Sequence, residues 1–352
     1  MKTTLFCNLP YAFSILKPLA DELEKQGDDF IWYVPTGIVD TFPYSAMPHT
    51  SSIKELEAFK SDAIFVPGNE VPYWLRGLKV QIFHGLAGEK KGHFRIRDYF
   101  DLYLTQGPYF TKKFQKLSQR YKNFDVIETG WCKLDTLYKI NPETKKRKEN
   151  LLKKYGAKYI VLYSPTFSPS LTSAKELKKT VEKLGTLTDI LCIVKFHDKM
   201  DKAIQSEYSS LNHPKILIVK DSDITPSLQI ADLMLSDTSS VVYEFILLNK
   251  PVVTLNSQSE NITWSNHKDT KNLFEDIVKI LKGTDDYAKR RQDTIMQYHP
   301  YSDGKSAQRM LEATATYIEN HGVPKKRKLS LLRKWKVWKN YKHKGNRDLF
   351  KI

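Results

Sequence analysis

The stretch Ala231–Ser257, ADLMLSDTSSVVYEFILLNKPVVTLNS, decides the fold. Leu233–Leu235 is an apolar run of strand length, and Ser236–Ser240 is a small polar turn. Val241–Leu248 is an apolar helix stopped by Asn249, Lys250 and Pro251, and Val252–Leu255 begins a second strand. A strand–helix–strand unit of this size implies a parallel sheet and a right-handed crossover. Such sheets bind ligands beyond the carboxyl ends of their strands. A helix N-terminus there presents N–H groups and the positive end of a dipole, which suits phosphate. Ser236, Asp237, Thr238, Ser239 and Ser240 bring hydroxyls and one carboxylate to that point. The same residue types cap helices routinely, so capping and phosphate binding both fit the stretch taken alone.

The same alternation continues outward in both directions. Strand-like runs at Thr3–Asn8, Phe30–Val34, Ala63–Val66, Val80–Phe83, Tyr99–Leu104 and Asp125–Glu128 are interleaved with helical spacing at Ser14–Gln26, Ile53–Phe59 and Tyr109–Tyr121. Lys139–Asn150, KINPETKKRKEN, is polar and basic and contains Pro142, which reads as a linker. Beyond it the pattern resumes with strands at Tyr159–Tyr163, Ile190–Lys195 and Ile216–Val219. The expected architecture is therefore α/β, with two doubly wound, Rossmann-like domains facing a cleft, as in glycosyltransferase-B enzymes. The expected boundaries are 1–138 for an acceptor domain, 139–150 for the linker and 151–306 for a nucleotide-donor domain. A helix at 307–324 would return toward the first domain, ahead of a basic tail at 325–352.

A chain of 352 residues is long enough for two cores. Its net charge of +16 is concentrated: residues 325–352 hold twelve Lys or Arg against one Asp, which leaves only +5 for the other 324 residues. Cys7, Cys132 and Cys192 are far apart and show no zinc spacing, which fits reduced thiols in a cytoplasmic protein. The first residues are too polar for a signal peptide, and no run approaches the apolar length of a membrane span.

Polar clusters follow several strands. His84 and Gly85 lead into a loop with Lys90 and Lys91, where His84 could act as a general base or serve as a satisfied structural histidine. Pro165 and Thr166 sit in a strand-to-loop turn. Lys195 and His197 are two apart and so point the same way on a strand, where together they could hold a phosphoryl oxygen. Lys305 and Arg309 share a helix face at i, i+4, suited to phosphate or to carboxylates.

Taken in order, these pieces resemble the CDP-glycerol glycerophosphotransferase family, enzymes that prime and polymerise teichoic-acid-like polymers. The matching pieces are His84-Gly85 with Lys90-Lys91-Gly92, Thr129–Asp135, Ser164–Phe167, Lys195–His197, Ser236–Ser240, Asn249–Val252 and Asp303–Lys305. The chain departs from the family in having Leu86-Ala87 after the first His-Gly pair and Asp198 after the second histidine. The resemblance implies transfer of glycerol phosphate, or a related alditol phosphate, from a CDP-linked donor to a hydroxyl of a cell-surface glycan or lipid-linked precursor, with release of CMP. It implies His84 as the base and His197 with Lys195 on phosphoryl oxygens or the leaving group. Ser236–Ser240 would hold the diphosphate, Lys305 and Arg309 would be supporting cations, and Gly85, Lys90, Lys91, Asp135, Pro165 and Thr166 would belong to donor or acceptor loops. No cofactor is expected: Mg²⁺ is compatible with the reaction class, but no acidic motif calls for it. A glycosyltransferase using a nucleotide sugar is the alternative of the same architecture.

The tail segment 325–344, KKRKLSLLRKWKVWKNYKHK, places Leu329, Leu332, Trp335, Trp338 and Tyr341 three apart among cations. It reads as an amphipathic basic helix for the inner face of the cell membrane, with a helix packed back on the first domain as the alternative. The nearly balanced body and the lack of base-stacking motifs argue against a nucleic-acid partner.

Overall fold

The computed structural model describes residues 1–86, 92–139, 142–220, 223–259, 261–325, 327 and 329–343. The chain forms two compact units, one made of Met1–Asp135 with Gln297–Ile352 and the other of Thr136–Met296.

The first unit is built on seven strands: β1 Thr3–Phe6, β2 Phe30–Tyr33, β3 His49–Thr50, β4 Ala63–Val66, β5 Leu78–Gln81, β6 Leu102–Thr105 and β7 Asp125–Glu128. Their order is β3-β2-β1-β4-β5-β6-β7, and each pair runs parallel. The second unit has β8 Tyr159–Tyr163, β9 Ile190–Lys195, β10 Ile216–Val219, β11 Leu233–Ser236, β12 Val252–Leu255 and β13 Ser265–His267. Their order is β10-β9-β8-β11-β12-β13, again all parallel. Every residue of β1, β4, β5, β6, β9, β11 and β12 is buried, as expected of parallel strands covered by helices on both faces.

Two edge strands, β3 and β13, escape the sequence reading. They are two and three residues long and largely polar, so they carry no periodic signal. The expected linker is a helix, Pro142–Tyr155. Proline fits the first helical turn, where its missing N–H has no partner to lose. The helix lies on Thr225–Ile230, with a Lys148–Asp232 ion pair and a bond from Thr144 Oγ1 to Gln229 Oε1. The change of unit falls instead next to Asp135, within the helix Lys133–Tyr138.

Residues 297–352 belong with the first sheet, so Lys305 and Arg309 lie in the unit that carries His84 rather than the unit of the Ser236–Ser240 turn. The Thr129–Asp135 motif secures them. Asp135 is buried, and its two carboxylate oxygens accept from Ser306 N at 2.9 Å and Ala307 N at 2.7 Å. That caps the helix Ser306–His321, which packs on Ala12–Gln26. Trp131 N donates to His299 Nε2 at 2.9 Å. Gly130 has φ +83°, and a Cβ there would meet Ser306 Oγ at 2.6 Å, so the close approach requires glycine. Asp135 thus acts as a structural clasp, with both carboxylate oxygens taken up by backbone N–H groups.

The tail also differs from its expected form. Its helix spans only Leu331–Trp338, continued by a wider turn at Lys339–His343. Leu329, Val337 and Tyr341 are buried, with Tyr341 5.8 Å from Phe6 and 6.5 Å from Tyr33 between ring centroids. Leu331, Leu332, Trp335 and Trp338 stay exposed. A residue every third position drifts about 60° per step around an α-helix, so the spacing read from the sequence spans two faces, one packed and one open.

Replacing Asp135 with Ala should lower stability by about 2 kcal/mol, since two buried N–H groups lose their acceptor. The midpoint of urea unfolding measures it, and an unchanged midpoint would contradict the clasp. His299 offers a second test. Burial, aided by the Arg309 charge, pushes its imidazole down from 6.5 to about 4. The neutral ring's contribution is whole above about pH 6.5 and is lost as pH falls toward 4, by about 3 kcal/mol in all. His299→Gln should make the fall in urea midpoint between pH 7 and 4.5 shallower, and an unaltered slope would refute the assignment.

Candidate active site

Each sheet reverses its winding once. In the first sheet the reversal lies between β1 and β4, and in the second between β8 and β11. Loops leaving adjacent strands diverge at such a point and open a crevice at their carboxyl ends.

In the first unit the loops after β1, β4 and β5 meet there: Asn8 lies against Gly68, Tyr11 beside His84, and Pro67 O beside the His84 ring. Gln81 shapes the approach to His84: its amide donates to Gly68 O at 2.8 Å and accepts from Phe83 N at 3.0 Å. Phe83 has φ +62°, a left-handed conformation that costs an aromatic residue of order 1–3 kcal/mol. Packing of the buried ring against Phe114 at 4.9 Å and His93 at 5.4 Å holds it there. The turn delivers His84 to the surface, 5.3 Å from the Tyr11 ring, with Nδ1 3.1 Å from Pro67 O. A carbonyl can only accept, so Nδ1 carries a proton, and in the neutral ring the lone pair is on Nε2. His93 is a residue the sequence reading did not single out. Burial, with smaller effects from the charges of His84 and Lys113, pushes it down to about 4, which keeps a second neutral imidazole behind the loop. Gly85 lies in this loop, its carbonyl accepting from Gln106 Nε2 at 3.2 Å. Lys90 and Lys91 lie outside the described residues.

In the second unit, the turns after β8 and β11 are tied to each other. Ser236 Oγ donates to Ser164 O at 2.6 Å. Asp237 Oδ1 accepts from Thr166 N at 2.8 Å, and Oδ2 accepts from Ser173 N and Ser173 Oγ, both at 2.8 Å. Burial pushes this carboxyl up to about 6, while those three donors pull it back toward ionisation. The side chains of Ser236 and Asp237 therefore brace this loop, both buried with their polar atoms bonded. Pro165 is buried in the loop they hold, and Thr166 is half-buried beside it. Thr238 Oγ1 accepts from Gln258 N at 3.0 Å. Ser240 precedes the helix Val241–Leu247 without capping it through its side chain, so the hydroxyls at the crevice are those of Ser239 and Ser240.

His197 follows β9 and is exposed. Its Nδ1 accepts from Lys199 N at 3.1 Å, which leaves the proton on Nε2, the reverse of His84. The Phe167 ring lies 4.4 Å away. Desolvation lowers its pKa; Asp198 opposes this, and the Lys199 and Lys195 charges reinforce it. Lys195 itself is buried, its ammonium donating to Phe196 O at 2.9 Å, so its charge reaches the site from behind.

Other residues of the motif set are structural. Lys250 places its ammonium on the carbonyls of Leu228, Gln229 and Ala231 at 2.6–3.0 Å, closing the helix Thr225–Ile230. Burial, with the Lys148 charge, brings it down to about 8. Arg309 donates to Thr129 O and to Asp303, and lies 4.3 Å from the Tyr301 ring centroid, so its guanidinium is taken up within the first unit. Lys305 is exposed and has no ion pair among the described residues. The described residues also contain no group of three or more His, Cys, Asp or Glu side chains placed to hold a metal ion.

Comparison with known proteins places these features. Residues 80–263, just over half of the chain, match the family model for CDP-glycerol:poly(glycerophosphate) glycerophosphotransferase. A teichoic acid glycerol-phosphate primase of Bacillus subtilis is 24% identical over 279 residues, 68% of this chain and 68% of that protein. A teichoic acid poly(glycerol phosphate) polymerase of Bacillus spizizenii is 26% identical over 286 residues, 70% of this chain and 69% of that one. Among solved structures, a variant of the wall teichoic acid polymerase TagF soaked with CDPG matches with a TM-score of 0.66 at 14% identity, covering 91% of this chain and 89% of its own. The match includes both His84 and His197 and the braced turn between Ser236 and Ser240, and by it the chain belongs to the CDP-glycerol:poly(glycerophosphate) glycerophosphotransferase family.

Proposed function

We propose that this chain moves glycerol phosphate, or a related alditol phosphate, from a CDP-linked donor to a hydroxyl of a cell-surface glycan or lipid-linked precursor, releasing CMP, with His84 as the base on the acceptor hydroxyl and His197, with Lys195, on phosphoryl oxygens or the leaving group. The observation that carries this reading is two exposed histidines, each beyond a strand's carboxyl end, whose Nδ1 atoms are bonded in opposite senses, one to a carbonyl and one to an N–H. The acceptor oxygen attacks the phosphorus bearing the glycerol, in line with the CMP oxygen that leaves. His84 Nε2 takes the hydroxyl proton as the new P–O bond forms. His197 donates its Nε2–H to a phosphate oxygen of the departing CMP as the old bond breaks. Ser239 and Ser240 hydroxyls receive the donor diphosphate, in a loop held open by Asp237 and Ser236. Lys195 adds positive potential behind His197. Positioning and charge neutralisation supply most of the acceleration in transfers of this kind.

The enzyme works at the inner face of the cell membrane, held by its C-terminal segment. The exposed Leu331, Leu332, Trp335 and Trp338 among cations support this, and among the described residues no helix is long and apolar enough to cross a membrane.

Purified His84→Ala and His197→Ala should each lose about 10²–10⁴-fold in CMP release from CDP-glycerol, with the urea midpoint unchanged. Full activity in either variant removes that residue from the mechanism. Running CDP-glycerol and CDP-ribitol beside UDP- and GDP-sugars, with product mass spectrometry, separates this reading from sugar transfer.

A further inference from the structure

The C-terminal segment is clamped to the first unit by charge. Arg327 holds both carboxylate oxygens of buried Asp101, at 2.6–3.1 Å, and donates to Gly77 O at 3.0 Å. Arg333 pairs with Asp98, Lys336 with Glu70 and Lys342 with Glu57. These pairs fix the helix Leu331–Trp338 so that its outer face is apolar: Leu331 and Leu332 are 82% and 81% exposed, Trp335 59% and Trp338 41%. Large apolar side chains held outward at such exposure call for a covering surface.

Beside that face lies a cavity of about 740 Å³, lined by Tyr73, Trp74, Arg76, Lys325, Arg327 and Lys334 together with short apolar segments. Among the described residues its lining contains four cations and no acid. Arg327 is neutralised by Asp101, but among the described residues Arg76, Lys325 and Lys334 have no ion pair. Lys334 belongs to the same helix as the exposed leucines and tryptophans, and its ammonium lies 5.9 Å from the Tyr73 ring centroid. A concave site with three uncompensated cations is complementary to a phosphate, and its aromatic wall is of the kind found at lipid–water boundaries.

We propose that this cavity takes the phosphate of an anionic phospholipid headgroup, while Leu331, Leu332, Trp335 and Trp338 enter the acyl boundary next to it. The proposal rests on the membrane reading given above and adds to it a defined headgroup site. The apolar face supplies area and the cavity supplies selectivity for anionic over zwitterionic lipid. Diffuse attraction of a basic tail would not depend on which cations are present, whereas a built site depends on these three.

Flotation of the full chain with vesicles of phosphatidylcholine alone, and of phosphatidylcholine with 30% phosphatidylglycerol, tests it at 0.15 M salt. Wild type should float with the mixed vesicles at least tenfold better than with the zwitterionic ones. The triple variant Arg76→Ala, Lys325→Ala, Lys334→Ala should lose most of that preference. A control of equal charge, Lys153→Ala, Lys154→Ala, Lys158→Ala, should keep it. Equal losses in the two triple variants would overturn the headgroup site while leaving membrane binding standing. Absence of flotation by wild type with either vesicle would overturn the membrane reading and the site together. Leu332→Ser with Trp335→Ser should weaken binding to both vesicles while keeping the preference between them. Titration with inorganic phosphate should show no binding below millimolar concentration, and tight phosphate binding without flotation would identify a free-anion site instead.

Discussion

A parallel sheet covered by helices on both faces leaves no room for polar chemistry except at its strand ends. Both sheets here obey that constraint, with β1, β4, β9 and β11 buried along their whole length. In each unit the polar groups therefore follow strand ends, His84 after β5 in the first and His197 and the Ser236–Ser240 turn after β9 and β11 in the second. His84 and His197 owe their exposure to this arrangement. His84 further depends on a left-handed Phe83, a strain that the surrounding aromatic packing sustains.

Buried aspartates do much of the positioning. Asp135 caps the helix Ser306–His321, Asp237 ties the Ser164–Ser173 loop to the end of β11, and Asp101 receives both Arg327 and Lys79 N. Each would be costly to bury alone, and each is satisfied by two or more donors. Several residues in the family's motifs thus have their side chains engaged in holding backbone and loops together. This separates them from Ser239, Ser240 and the two histidines, which lie at the surface of the crevices.

The charge of the basic tail goes to two places that composition alone does not distinguish. Part of its charge meets Glu57, Glu70, Asp98 and Asp101 on the first unit, which fixes the helix in place. Among the described residues, Lys325 and Lys334 line a cavity beside an apolar face directed outward. The inner contacts determine which side chains remain available to anything else.

By itself the sequence determined the class of fold and the order of its main strands. Apolar runs of strand length alternate with helical spacing, and that periodicity is local information. It also singled out His84, His197 and the Ser236–Ser240 turn, because polar residues directly after a buried strand have only the strand end to occupy. Tertiary structure decided the rest. Whether a carboxylate holds ligand or backbone depends on which N–H groups arrive from distant segments, as Ser306 and Ala307 do at Asp135, 171 and 172 residues away. The basic stretch after Lys139 became a helix because it could lie on Thr225–Ile230, and the tail's every-third-residue pattern divided into a packed and an open face because an α-helix turns 3.6 residues at a time. The tautomers of the two histidines depend on a carbonyl at Pro67 and an N–H at Lys199, and only the folded backbone brings those groups to the rings.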